Sequence, residues 1–181
     1  ATLAAPVVGS VAEVAGLRSG DTVLRVGASV DDLQDVASLD ALRWWLLQND
    51  ASPIYLDVQP QRKESSRIIS LPVLAQEEAS KNANTWQALG FNGAWSRAVL
   101  GEVQHGKPAD IAGLRKGDEV LRIDGNVLTD ATAVRAAVRA SGQYQSPTTQ
   151  VWQISRDGRL MQVAVTPERV AEGSQYIGRI G

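Results

Sequence analysis

Residues able to do chemistry are scarce in this chain, and their spacing limits what they can do. The one histidine, His105, stands just ahead of Gly106-Lys107-Pro108, and there is no cysteine. A metal centre gathers several imidazole, thiolate or carboxylate donors, so a lone histidine in a predicted loop reads as solvated. The acidic cluster Asp31-Asp32 with Asp35 lacks the glycine-punctuated ligand spacing of a calcium loop and reads as a solvated loop too. A Gly-x-Ser-x-Gly elbow, a thiol nucleophile and a phosphate loop are missing, and Gly90-x-x-Gly93 alone is too little to argue for a nucleotide. The expectation is a stretch of polypeptide with no catalytic residue, no metal ligand and no cofactor of its own.

Arg43 and Arg135 stand at matched places on two predicted helices, where a solvated surface arginine is the ordinary reading. Trp44-Trp45 follows the first and Ala136-Ala137 the second. Neighbouring helical residues point about 100° apart, so two adjacent indoles cannot share one narrow stripe. One is expected to plug a core beside Leu42 and Leu46 while the other lies half exposed at a domain contact. The alternative is an exposed indole that narrows a groove or touches a membrane interface.

Composition bounds the setting. At 181 residues, 44% hydrophobic and 21% charged, the chain suits one medium domain or two small ones. A net charge of −2 with no run of Lys or Arg gives no general attraction to nucleic acid or anionic lipid. Apolar runs fall short of the roughly 18 to 20 residues that span a bilayer. The chain opens on Ala1 without a signal peptide, which is expected of a soluble piece of something larger. Its lack of cysteine suits a cytosol and a periplasm equally.

The elements that must carry these residues come in two copies. AGLRSGDTVLRVG (15–27) returns as AGLRKGDEVLRIDG (112–125). Gly16 and Gly113 suit the left-handed position past a helix end, and Gly-Asp then turns the chain into a short β-rich run. Upstream, Val8-Gly9-Ser10-Val11 parallels Leu100-Gly101-Glu102-Val103, read as a strand in each copy. Downstream come helices with apolar stripes at Leu42/Leu46 and Val134/Val138, capped by Ser38 and by Thr129 or Asp130. Ser52-Pro53 and Ser146-Pro147 precede IYLDV (54–58) and TQVWQI (149–154), which pair with RIISLPV (67–73) and LMQVAV (160–165). Asp157-Gly158 marks a tight hairpin turn. Finally QALGFNG (87–93) and QYIGRIG (175–181) share Gln-x-[Leu/Ile]-Gly-x-x-Gly, and each closes its copy. The polar stretch AQEEASKNANTWQ (75–87) reads as a surface excursion inside the first copy.

This combination resembles bacterial PDZ domains, with Lys107-Pro108-Ala109-Asp110-Ile111-Ala112-Gly113-Leu114 through Asp124-Gly125 as the fullest match. The first copy departs where Val11 runs straight into Ala12 without a Gly-Lys-Pro turn, and where Gly27-Ala28 replaces Asp124-Gly125. The resemblance implies a mixed α+β fold of two tandem PDZ-like domains, residues 1–95 and 96–181. Each would be a small, partly open β-barrel or sandwich with two helices. PDZ domains receive a peptide's C-terminal carboxylate on the amides of an x-Leu-Gly-Phe loop, while the peptide adds as a strand. Leu89, Gly90 and Phe91 match that loop. Ile177 and Gly178 match it with Arg179 in place of an apolar residue, and Arg43 and Arg135 would flank the two grooves. Because these loops close the copies, both domains would be circular permutants of the animal arrangement.

A permuted tandem resembles the periplasmic insert of the site-2 protease family, inner-membrane zinc metalloproteases of the kind that regulates sigma-E signalling. Their zinc sits on His-Glu-x-x-His and a distant Asp, outside a stretch such as this one. The resemblance implies a membrane-anchored substrate of the anti-sigma factor type, or its trimmed C-terminus, as partner, with no nucleic acid. The tandem would then filter substrates by size. A PDZ pair of a soluble periplasmic serine protease or chaperone, and a peptide-binding scaffold module, are the alternatives.

Overall fold

Serine, glycine and aspartate at matched positions set the local frame of the chain. We describe residues 1–49, 53–62, 64–72 and 85–181 of a computed structural model. The readings of Ser52, of Val73 and of the excursion up to Asn84 lie outside the described residues. The chain divides into two units, Ala1–Trp95 and Ser96–Gly181.

In the first unit, Ser10 caps helix α1 (Val11–Val14), its hydroxyl accepting from Glu13 N at 3.3 Å. Glu13 reaches back and accepts from Gly9 N at 3.1 Å. Together they satisfy donors that a helix start leaves open. Strand β1 (Thr22–Ser29) pairs with β2 (Asp32–Asp35), helix α2 (Leu39–Gln48) follows, and β3 (Ile54–Gln59) and β4 (Arg67–Leu71) complete an antiparallel sheet of order β2-β1-β3-β4. Ser38 caps α2 as the sequence suggests, accepting from Ala41 N at 3.0 Å. A third helix, α3 (Thr85–Leu89), was not expected.

The second unit repeats the plan with α4 (Pro108–Ala112), β5 (Glu119–Ile123), β6 (Asn126–Val127), α5 (Ala131–Ala140), β7 (Gln150–Arg156) and β8 (Arg159–Val165). Its sheet order is β6-β5-β7-β8, the equivalent of the first. Asp130 rather than Thr129 caps α5, accepting from Ala133 N at 2.8 Å. The turns at Asp124-Gly125 and Asp157-Gly158 hold positive φ at both residues, as two-residue hairpins require. A further hairpin, β9 (Glu168–Glu172) with β10 (Gln175–Arg179), has no counterpart among the described residues of the first unit.

The strands expected at 8–11 and 100–103 are not formed. In the first, Gly9 sits at φ 75, and a residue there cannot continue an extended strand. The edge of each unit is instead the segment around Leu3 and Leu100. Leu3 N donates to Asp21 O and Leu100 N to Asp118 O, each at 2.9 Å. Leu3 and Leu100, Gly9 and Gly106, Gly16 and Gly113, Asp21 and Asp118 all stand 97 positions apart. So Gly9-Ser10-Val11 fills the place of Gly106-Lys107-Pro108, and the first unit has the turn it was expected to lack. A capping serine does there what a proline at the first helical position does in the second unit. The copies diverge only after β1: Ser38 and Asp130 stand 92 apart, and the extra five residues lengthen the β1–β2 hairpin past Gly27-Ala28. That hairpin turns Asp32–Asp35, expected as a loop, into an exposed strand.

Each unit has its own core. Leu42, Leu46, Leu56 and Leu71 anchor the first, and Val134, Val138, Trp152 and Ile154 the second. Trp45 packs half-buried against the first core, while Trp44 stays 62% exposed beside exposed Leu47. The Gly-Asp corners are buried but held differently. Asp118 accepts Arg115 N at 2.8 Å and both Arg156 Nε and Nη2 at 2.8 Å, and these bonds hold its carboxyl below the usual range. Asp21 accepts Arg18 N at 2.9 Å, but Arg67 stands off at 3.6 Å, and burial pushes its carboxyl up.

Candidate functional site

The second unit holds a cleft of about 540 Å³ between the 98–101 edge segment, α5 and the β9–β10 hairpin. Helix α5 buries Val134 and Val138 and turns Arg135 and Arg139 outward, which follows from its apolar stripe. Of the sequence-derived candidates, Arg135, Ile177 and Gly178 all line this cleft. Gly178 is buried against the end of α5, where a Cβ would overlap Val138 O and Ser141 Oγ. Gly142 meets the same seam from the helix side, its missing Cβ leaving room for the Ile177–Gly178 peptide. Ile177 and Gly178 lie on a strand, not in the loop expected for QYIGRIG, because β9 supplies the pairing register Ile177–Val170 and Gly178–Arg169.

Three polar contacts fasten the hairpin. Arg139 Nη2 pairs with Glu172 Oε2 at 2.6 Å, Arg169 Nε donates to Gly142 O at 2.9 Å, and Lys107 Nζ pairs with Glu168 Oε1 at 3.0 Å. The Arg169 guanidinium also lies 4.1 Å from the Tyr176 ring centroid. Sequence reasoning missed Arg139, Glu172 and Arg169. Arg139 carried a signal, since it follows Arg135 by four residues and shares its helix face. The other two had none, because their roles depend on where the hairpin lands.

The first unit arranges its candidates otherwise. Leu89 and Phe91 are core residues, and Gly90 sits at φ 85 against Ser10. Trp86, also missed, is buried at 4.8 Å from the Phe91 ring centroid, and the Arg43 guanidinium stacks 4.7 Å above it. Gly90 N donates to Gln87 O at 3.0 Å and Phe91 N to Trp86 O at 3.1 Å. A carboxylate arriving at these amides would have to displace both bonds. The residues around them line a cleft of about 460 Å³ that includes Val7, Arg43, Trp86 and Phe91.

His105 is fully exposed, its Nδ1 3.1 Å from Asp110 Oδ2. Among the described residues, no group of three or more His, Asp or Glu is placed to hold a metal ion. Nor is any helix there long and apolar enough to cross a membrane.

A family model for the PDZ domain matches residues 74–166, just over half of the chain. The chain belongs to the PDZ domain family. The matched stretch does not follow the boundary between the units: it starts in the first unit ahead of α3 and stops after β8 of the second. A protein of Ralstonia nicotianae named "Putative zinc metalloprotease RSc1411" is 26% identical over 184 residues. That similarity covers 99% of this PDZ chain but only 39% of the relative's length.

Proposed function

We propose that this chain is a non-catalytic tandem of two circularly permuted PDZ domains, residues 1–95 and 96–181, within a membrane-embedded site-2 zinc metalloprotease. Standing on the periplasmic side of an inner membrane, the tandem gates access to the protease and admits a membrane-anchored substrate of the anti-sigma factor type only after trimming. The observation that carries this reading is the pairing of two units of one plan with an end-to-end match to a relative named as a zinc metalloprotease. One histidine and no cysteine do not make a zinc site, so the metal belongs to the rest of such a protein.

The straddling family match supports permutation. An unpermuted domain would join Leu89-Gly90-Phe91 to the body of the second unit, yet Leu89 and Phe91 pack in the core of the first. A unit that ends on its ligand loop accounts for both facts. Gating works by bulk, through exclusion of untrimmed substrate, and by recognition of a new C-terminus in the cleft of the second unit. Deleting residues 1–181 from the full protein then permits cleavage of an untrimmed substrate. If cleavage still requires trimming, the gate does not exist.

A further inference from the structure

The cleft of the second unit changes chemistry along its length. Toward Ala98, Leu100, Val134 and Val138 it is apolar. Past Ile177 it opens into a second depression of about 380 Å³ that shares Arg135, Arg139 and Ile177 and adds Thr132, Gln143 and Gln175. Two cations one helical turn apart thus stand where the apolar and polar halves meet. Arg139 is committed to Glu172 at 2.6 Å. Arg135 is exposed and forms no ion pair among the described residues. The chain as a whole carries a net charge of −2, so this cationic rim is a local feature and not a general one. Nor is it shared by the first unit, where Leu47 holds the place of Arg139 and Arg43 is stacked on Trp86.

We propose that this rim makes the second unit selective for extended peptides with an acidic side chain a few residues before an apolar C-terminal residue, Arg135 binding that carboxylate. The proposal rests on the reading of this cleft as a receiver of C-termini. The apolar half takes the terminal side chain. Alternate side chains of an added strand face the same way, so one upstream of the terminus is carried along α5 to the arginines. An acidic group there gains a charge-assisted hydrogen bond from the uncommitted guanidinium. Glu172 works against it, by neutralising Arg139 and repelling a second carboxylate.

The test uses the 181-residue chain and fluorescein-labelled ten-residue Gly/Ser peptides ending in Val, with Glu or Gln placed second, third or fourth from the end. Binding is read by fluorescence anisotropy. At one of these positions the Glu peptide binds about two- to fivefold tighter than its Gln twin, and the ratio shrinks in 0.5 M salt, on the order of what one exposed ion pair supplies and salt screens. Arg135→Gln brings the ratio near one, Arg135→Lys retains part of it, and Glu172→Gln raises it. Lys116→Gln removes the same charge outside the cleft and leaves the ratio unchanged. Equal binding of Glu and Gln peptides at every position, or a preference that survives Arg135→Gln, overturns the proposal and leaves the cleft reading standing. Absence of binding, or equal binding of free and C-terminally amidated peptides, overturns both.

Discussion

The two units share a corner-by-corner scaffold and differ at the segment that closes each of them. In the first, the closing segment is a helix and the turn after it, which bury Trp86, Leu89 and Phe91 and bring Trp86 under Arg43. In the second, it is a hairpin laid on the end of α5, leaving a cleft of about 540 Å³ lined by Arg135. The scaffold residues, Gly16/Gly113 and Asp21/Asp118, are the same in both, so they cannot be the source of the difference. Aromatic side chains at the closing segment are. Trp86 and Phe91 bring large apolar areas that gain most by entering a core, whereas Tyr176 and Arg179 at the other end stay exposed. A duplicated frame has thus been given two clefts of different lining, one beside buried aromatic rings and one beside Arg135.

The strongest way to break this comparison is to remove a core anchor from one unit. Trp152→Ala should cost about 3–5 kcal/mol and Leu42→Ala about 2–5 kcal/mol, each lowering only its own transition in calorimetry. If either substitution lowers a single shared transition, the cores do not act separately. Next in size is the glycine seam. Gly178→Ala drives a Cβ into the backbone of α5 and should cost about 1–3 kcal/mol, as overpacking does, and it should abolish peptide binding with it. Gly90→Ala meets Ser10 at a positive φ and should also destabilise, while leaving binding by the second unit intact.

The corners sharpen the comparison through pH. The depressed folded pKa of Asp118 contributes stability that is present above the ordinary value of 3.8 and lost as pH falls through the lower folded value. Asp21 has the opposite sign. Its folded pKa is raised, so the native state binds the proton more readily, and acidification through that raised value adds stability down to about 3.8. Asp118→Asn should therefore destabilise at neutral pH and flatten the acid limb of the second unit. Asp21→Asn should cost less and remove the opposite slope from the first. Equal losses would show that Arg67 and Arg156 serve the two corners alike. The smallest effect is at the helix starts: Ser38→Ala and Asp130→Ala should each cost about 1 kcal/mol, measured by denaturant midpoint.

Reading the sequence succeeded where a local rule decides the outcome. The left-handed glycines after α1 and α4, the caps of α2 and α5, and the Asp157-Gly158 turn each depend on a few neighbouring residues. The first edge of each unit was misread because different residue types do one job. Ser10 caps α1 by hydrogen bonding and Pro108 starts α4 by its fixed φ, so letter matching slid Val8 onto Leu100 and hid the constant spacing. Trp44 and Trp45 divided as helical geometry demands, one packed and one exposed. The clefts were less visible. That Ile177 and Gly178 meet Arg135 depends on the Gly142–Gly178 approach, between residues far apart in the chain. That Gly90 and Phe91 spend their amides on α3 depends on Trp86 finding the core.

The claim that the second unit is the one that receives a C-terminus is tested most directly by amide chemical-shift mapping. A peptide ending in a free apolar residue is titrated into the isotopically labelled chain, beside its amidated twin. The account predicts saturable shifts for Arg135, Ile177, Gly178 and their neighbours with the free peptide alone, and none at Arg43, Trp86 or Phe91. Shifts centred on Gly90 and Phe91, or an equal response to the amidated peptide, would contradict it.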